Sequence, residues 1–302
     1  MTKLQGLTAA THTPFDAEGE LNLPVVEKQA ELLLRDGVNA VFIGGSTGES
    51  HSLTIAERLA LAERWSAVAK GSPLRIVVHV GSNCLADART LAQQGQKLGV
   101  AAISALAPSY FKPRTLDVLI DCCRMVASAA SAVPFYFYDI PGMTGVQFPM
   151  PDYLELAEKR IPTLAGIKFS NPDLMAYQRC LRSHSGRFDI PWGTDEYLLS
   201  ALAVGGIGGV GSSYNFASPI YNRLIAAFGK GDLTEAREEQ FRSVQIIHLL
   251  GEFGYMAAAR AVMEMLGVPV GPPRLPHSSL APGQANELRE SLTKLGFFDW
   301  VK

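Results

Sequence analysis

Long apolar runs are missing from this chain of 302 residues, and no stretch approaches the roughly 20 apolar residues that a membrane-crossing helix needs. The opening Met1-Thr2-Lys3-Leu4-Gln5-Gly6 lacks the charged segment and apolar core of a secretory signal, so a cytoplasmic protein is expected. Cysteine is scarce: Cys84, Cys122, Cys123 and Cys180 form no CxxC pair and meet no clustered histidines, which argues against zinc and dithiol redox chemistry and leaves them as reduced packing residues. Charge of either sign is not in excess, with 27 Lys and Arg against 29 Asp and Glu. A formal net charge of −2, with no basic cluster, gives no long-range pull toward nucleic acid or an anionic membrane. The six histidines are scattered, and none sits where a triad or metal cluster would require it. These absences leave a small molecule as the expected partner.

What is abundant is apolar sequence in short, punctuated runs. At 47% hydrophobic residues the chain supports a large core. Strand-like segments fall at 6–14, 40–43, 75–80, 101–107, 135–141, 164–170, 188–192 and 206–211. Helical periodicity follows each in turn, at 25–34, 54–70, 85–98, 116–130, 153–159, 172–181, 198–204 and 217–228. Glu57 stands in capping-box position behind Thr54. Eight strand-then-helix units with strands apolar on both faces predict an α/β protein of the (β/α)8 TIM-barrel class, spanning residues 1–230. From 231 to 302 there is no strand signal. Helices at 232–250, 256–266 and 284–295 surround the rigid Gly271-Pro272-Pro273-Arg274-Leu275-Pro276 connection, giving a small C-terminal helical domain.

Catalytic groups of such barrels stand at the C-terminal ends of strands. The pattern collects Ser46 and Thr47 after strand two, Tyr110 after strand four, Tyr138 on strand five and Lys168 on strand six. It adds Asp195 and Glu196 after strand seven, and Ser212 and Ser213 after strand eight. Lys168 interrupts the apolar run Leu164-Ala165-Gly166-Ile167-Lys168-Phe169-Ser170. A buried ammonium is costly unless it is paired or its pKa falls, and a lysine with a lowered pKa attacks carbonyl carbon. The bland alternative is a lysine snorkelling from a strand end into water. Gly44-Gly45-Ser46-Thr47-Gly48 offers N–H groups and hydroxyls that suit a carboxylate or phosphate beside a helix N-terminus. It also fits the G-x-S-x-G elbow of serine hydrolases, with Asp195 and His248 or His277 in the right order, although the expected oxyanion segment is absent. Gly206–Gly211 fits G-x-G-x-x-G, but no second strand carries the ribose-binding acid, so packing of small residues is the better reading. Tyr138 ends an aromatic strand and could be core, and Asp195 and Glu196 could simply complement a helix dipole.

Together the motifs resemble the class I pyruvate-dependent aldolases typified by dihydrodipicolinate synthase and N-acetylneuraminate lyase. Gly45-Ser46-Thr47-Gly48-Glu49 matches their G-[ST]-T-G-E loop, Tyr138 to Gly145 their Y-x-I-P-x-x-[ST]-G segment, and Gly166-Ile167-Lys168 their lysine strand, in register over nearly the whole chain. The synthase branch carries an arginine where this chain has Met143. Gly193-Thr194-Asp195-Glu196, Gly211-Ser212-Ser213-Tyr214-Asn215 and Lys168-Phe169-Ser170 resemble the lyase branch instead, particularly its animal type. Asp139 departs from the Asn usual in bacterial lyases. The resemblance implies a Schiff base at Lys168 with no metal and no organic cofactor, and Tyr138 as the proton carrier. Ser46 and Thr47 would bind the substrate carboxylate, and Thr47 and Tyr110 would complete a hydroxyl relay across subunits of a homotetramer. It further implies Gly193, Asp195, Glu196 and Ser212 around the polyol tail, and Ser170 controlling stereochemistry. Cleavage of N-acetylneuraminate is the expected activity, with a 2-keto-3-deoxy sugar acid aldolase or a hydratase-aldolase as the alternative.

Overall fold

The computed structural model describes residues 3–302, so Met1 and Thr2 of the N-terminal reading lie outside it. In chain order the barrel elements begin β1 (Gly6–Ala10), α1 (Val25–Arg35), β2 (Ala40–Ile43), α2 (Ile55–Ala69), β3 (Arg75–His79), α3 (Leu85–Leu98), β4 (Ala102–Leu106) and α4 (Leu116–Ala127). They continue with β5 (Phe135–Asp139), the short α5 (Pro141–Thr144), α6 (Met150–Ala157), β6 (Leu164–Phe169), α7 (Leu174–Arg182), α8 (Leu198–Ala203), β7 (Gly208–Gly211) and α9 (Ser218–Gly229). Behind them come α10 (Leu233–Glu252), α11 (Tyr255–Met265), α12 (Gln284–Leu295) and α13 (Phe297–Trp300). Local signals set these limits. Thr54 Oγ1 accepts from Glu57 N at 3.2 Å while Glu57 Oε2 accepts from Thr54 N at 2.7 Å, the reciprocal cap that starts α2.

All seven strands are parallel in the order β6-β5-β4-β3-β2-β1-β7, a curled TIM-barrel-like sheet. Their side chains separate into two cores. Ala10, Phe42, Val77, Leu106, Tyr136, Tyr138 and Val210 face inward, and a much larger set packs between sheet and helices. Burial on both faces is why the strands read as continuous apolar runs. The floor of the interior is closed by Asp189, whose Oδ2 accepts from Leu4 N at 2.7 Å and Tyr136 OH at 2.8 Å.

The segment expected as the seventh strand, 188–192, is irregular. It contains Pro191, which has no N–H to give a ladder. It nevertheless joins β6 to β7: Asp189 N donates to Ala165 O and Ile167 N to Asp189 O, and Trp192 N donates to Gly208 O and Val210 N to Trp192 O, at 2.7–3.1 Å. Gly166 makes this approach possible, since a Cβ there would lie 1.7 Å from Asp189 O.

α10 packs along α9, so the C-terminal helices lie directly against the last barrel helix. Among the described residues no helix is long and apolar enough to cross a membrane, no His, Cys, Asp and Glu group could hold a metal ion, and all four cysteines are free.

Arg260 of α11 is 2% exposed and holds this assembly together. Its guanidinium donates to Thr13 O, Val270 O and Gly271 O at 2.8 Å each and to Glu49 Oε1 at 3.0 Å. Arg260→Met should therefore cost about 3–5 kcal/mol in urea unfolding, because it strands a buried carboxylate. Combining it with Glu49→Gln should recover part of that loss, and a double variant no more stable than Arg260→Met would contradict the account.

Candidate active site

Lys168 stands on β6 directly across from Tyr138 of β5 and is 4% exposed. Its Nζ lies 3.8 Å from the Phe42 ring centroid and 4.0 Å from that of Tyr138. Burial lowers its pKa, and the Tyr138 phenol and the Asp195 carboxyl oppose that shift. Two aromatic faces stabilise the cation only in part, so the neutral, nucleophilic amine is favoured relative to a lysine in water. The snorkelling alternative is excluded by this burial.

Around Lys168 the strand ends enclose a cavity of about 320 Å³. Ser46, Thr47, Tyr138, Ser170, Gly193, Asp195, Glu196 and Ser212 all line it, so the structure brings together the site residues expected from the sequence except Tyr110 and Ser213, the latter bonding Asp195 Oδ2 without lining the cavity. Tyr110 is 78% exposed, with its ring edge-on to Phe111 at 4.9 Å between centroids and its N–H bonded to Asn83 Oδ1 at 3.0 Å. A wider recess of about 540 Å³ between Phe15, Arg260 and Pro272 contains no lysine, cysteine, serine–histidine pair or other activated nucleophile.

One wall is the loop after β2. Ser46 Oγ is 3.4 Å from Tyr138 OH, and Thr13 Oγ1 donates to Gly48 O at 2.7 Å. Glu49 sits in the left-handed region at φ 55°, a conformation that a non-glycine residue keeps only when its surroundings enforce it. Arg260 on Oε1 and Arg274 N on Oε2, at 3.0 and 2.8 Å, supply that enforcement. The expected helix N-terminus is not at this loop: a 3-10 turn, Ser50–Ser52, intervenes before α2. The hydrolase pairing also fails, because the hydroxyl near Ser46 is a phenol and His248 lies on an exposed face of α10 beside Glu252.

The opposite wall is acidic and hydroxylic. Asp195 opens a short 3-10 turn, Asp195–Tyr197, and is buried. Burial raises its pKa, and hydrogen bonds from Ser213 oppose that rise. Glu196 is half-buried, and burial followed by the nearby Asp195 charge raises its carboxyl as well. The glycine run expected to pack a barrel end is β7 itself rather than a strand-to-helix turn, which removes the dinucleotide reading. Gly211 also permits close approach, since a Cβ there would lie 1.8 Å from Asp195 Oδ1. Asp139 accepts from Asn171 Nδ2 at 3.1 Å outside the cavity lining, and burial pushes its carboxyl up to about 6. Met143 is 67% exposed and does not reach the cavity.

Three contributors escaped the sequence reading. His79 of β3 is buried edge-on against Tyr138, with ring centroids 5.9 Å apart. Its Nδ1 donates to Gly44 O at 2.9 Å, so it ties the loop to the tyrosine, and burial followed by the Arg58 charge holds it neutral. The inward-facing register of 75–79 was the available signal. Tyr255 of α11 reaches the cavity and bonds Ser212 Oγ at 2.7 Å, and Ile247 of α10 lines it too. Nothing in the helical periodicity of the C-terminal region marks those two.

The sequence pattern of the dihydrodipicolinate synthetase family matches residues 3–295. An N-acetylneuraminate lyase of Gallus gallus is 41% identical over 278 residues, covering 91% of this chain and 90% of its own. A structure of Proteus mirabilis N-acetylneuraminate lyase superposes with a TM-score of 0.95 at 38% identity, covering 98% of this chain and 100% of the other. The N-acetylneuraminate lyase (sialic acid aldolase) of Aliivibrio salmonicida gives 0.95 at 41% identity, covering 98% of each chain.

The lowered Lys168 pKa has a stability consequence. The unfolded chain binds this proton more tightly than the folded one, so the burial penalty is full below the folded-state pKa and fades as pH rises toward the ordinary value of 10.5. Lys168→Met should therefore be more stable than the parent at pH 7, with the gap narrowing as pH rises toward 10. Urea unfolding across that range checks it, and a gap that widens with pH would refute it.

Proposed function

The chain belongs to the dihydrodipicolinate synthetase family, and we propose that it is a Schiff-base lyase that reversibly cleaves N-acetylneuraminate to N-acetylmannosamine and pyruvate. The observation that carries this reading is the buried amine of Lys168 beside a phenol, set between a hydroxyl loop and an acidic, hydroxylic wall. We read the seven strands and the bridged 188–192 segment as one closed (β/α)8 barrel over 1–230, with 231–302 as a helical domain that completes the site through Tyr255.

Lys168 attacks the C2 ketone of the open-chain sugar acid, and loss of water leaves a protonated imine. Tyr138, having given its phenolic proton to the hydroxyl that leaves as water, takes the C4 hydroxyl proton, the C3–C4 bond breaks, and its electron pair moves through C3 onto the imine nitrogen as an enamine. N-acetylmannosamine leaves as the aldehyde. A proton returned to C3 regenerates the imine of pyruvate, and water releases the ketoacid and the free amine. The covalent imine is the electron sink, so the cycle needs neither a metal nor an organic cofactor.

Ser46 and Thr47, with their N–H groups, hold the carboxylate, and Ser46 lies close enough to Tyr138 to keep its phenol near C4. Gly193, Asp195, Glu196 and Ser212 face the polyol tail, and Ser170 lies where it can sense the configuration at C4. Tyr110, exposed together with Phe111, serves the site of a neighbouring copy in a homotetramer. The synthase reaction is disfavoured because Met143 offers no charge for a second carboxylate.

Pyruvate release from N-acetylneuraminate, followed by a coupled reductase, tests the reading. Rapid turnover of a 2-keto-3-deoxy sugar acid beside none of N-acetylneuraminate would replace it. Borohydride with pyruvate should add a pyruvate-derived mass at Lys168, and equal labelling of Lys168→Ala would refute the imine assignment. Tyr138→Phe should lower kcat by about 10²–10⁴, the usual contribution of a positioned proton carrier, while borohydride trapping persists.

A further inference from the structure

Behind Asp195 lies a file of buried hydroxyls that the reaction as described does not use. Ser213 Oγ is 2.6 Å from Asp195 Oδ2 and 2.6 Å from Tyr221 OH, and Tyr221 OH is 2.7 Å from Ser243 Oγ. All four residues are at most 5% exposed. The direction of the protons follows from simple accounting of donors. An ionised carboxylate only accepts, so Ser213 gives its single proton to Asp195 and must accept from Tyr221. Tyr221 has then used its own proton and must accept from Ser243. All three O–H dipoles therefore point along the file toward Asp195, and each bond polarises the next.

Ser213 N adds a second donor to the same oxygen at 2.8 Å. Oδ2 is thus held twice from behind, which fixes the carboxylate plane. Oδ1 lies over Gly211, where a Cβ would stand only 1.8 Å away, and both residues line the cavity. The Tyr221 ring is itself held edge-on by Tyr214, with centroids 4.6 Å apart, so a phenylalanine there keeps the packing while losing the hydroxyl.

We infer that Ser213, Tyr221 and Ser243 are positioning residues that aim Asp195 Oδ1 at a hydroxyl of the substrate's polyol tail, and so set affinity for the long sugar acid as against pyruvate. The inference rests on the lyase reading above. It places part of the substrate selection on α9 and α10, outside the strand ends.

The test compares the full-length parent enzyme with Tyr221→Phe and Ser213→Ala in steady-state cleavage of N-acetylneuraminate, and in borohydride trapping of pyruvate at Lys168. KM for N-acetylneuraminate should rise about 3- to 10-fold in Tyr221→Phe, the size of one weakened hydrogen bond, and further in Ser213→Ala, with a smaller change in kcat. The pyruvate concentration for half-maximal trapping should stay at the parent value. KM for a 2-keto-3-deoxy acid without the tail hydroxyls should also stay unchanged in Tyr221→Phe. An unchanged KM for N-acetylneuraminate in both variants overturns the inference and leaves the lyase reading intact. Equal weakening of trapping and of cleavage assigns the file to fold maintenance and also overturns it. A parent enzyme that does not cleave N-acetylneuraminate overturns the lyase reading and the inference with it.

Discussion

The ion pair between Arg260 and Glu49 is the contact on which the site depends, because one buried guanidinium joins the segment after β1, the loop after β2 and the connection after α11. A guanidinium with almost no access to water must find acceptors, and here it finds three backbone carbonyls and one carboxylate. The carbonyls belong to the segment after β1 and to the connection after α11. The carboxylate belongs to the loop after β2. Such a pair contributes little net free energy over an apolar contact of the same shape, but breaking half of it is expensive. Its worth is geometric: Glu49 is held in a backbone conformation that few residues tolerate, and Ser46 and Thr47 are thereby presented to the cavity.

The same logic of buried polarity runs through the interior. A barrel filled only with apolar side chains would be more stable, yet this one buries Lys168, His79, Asp189 and Asp195. Each has a specific partner set. His79 spends its proton on Gly44 O, Asp189 accepts at the floor, and Asp195 is held by Ser213, whereas Lys168 has only two aromatic faces and the opposing phenol and carboxyl nearby. The least compensated of the four is the one whose chemistry benefits from an unstable charge. The structure concentrates the cost of desolvation on Lys168, the residue proposed to form the covalent bond.

Much of this was legible in the linear pattern. Strand–helix alternation located all seven regular strands, since runs buried on both faces have few alternatives to a parallel sheet. The seventh expected segment is less regular than its apolar composition suggests because Pro191 interrupts its donors, and its role is carried by bridges to Gly166 and Gly209. Strand-end placement collected Ser46, Thr47, Tyr138, Lys168, Asp195, Glu196 and Ser212 around one cavity. Tyr110 obeyed the same rule and lies outside it, because a strand-end position says nothing about which way a long exposed loop turns.

The sequence by itself determined the strand spacing, the loop chemistry and the lysine in an apolar strand, because period, glycine placement and a lone charge are properties of neighbouring residues. It determined the family for the same reason, through three short motifs in register. Only the tertiary structure decided that Arg260 holds Glu49, that His79 braces Tyr138 and Tyr255 meets Ser212, and that Ser213, Tyr221 and Ser243 line up behind Asp195. Apart from the short step from Ser213 to Tyr221, these contacts join residues far apart in the chain, and all but the ring contact of His79 with Tyr138 depend on the direction of single protons and lone pairs. No local pattern of residue types specifies such directions before the chain has closed on itself.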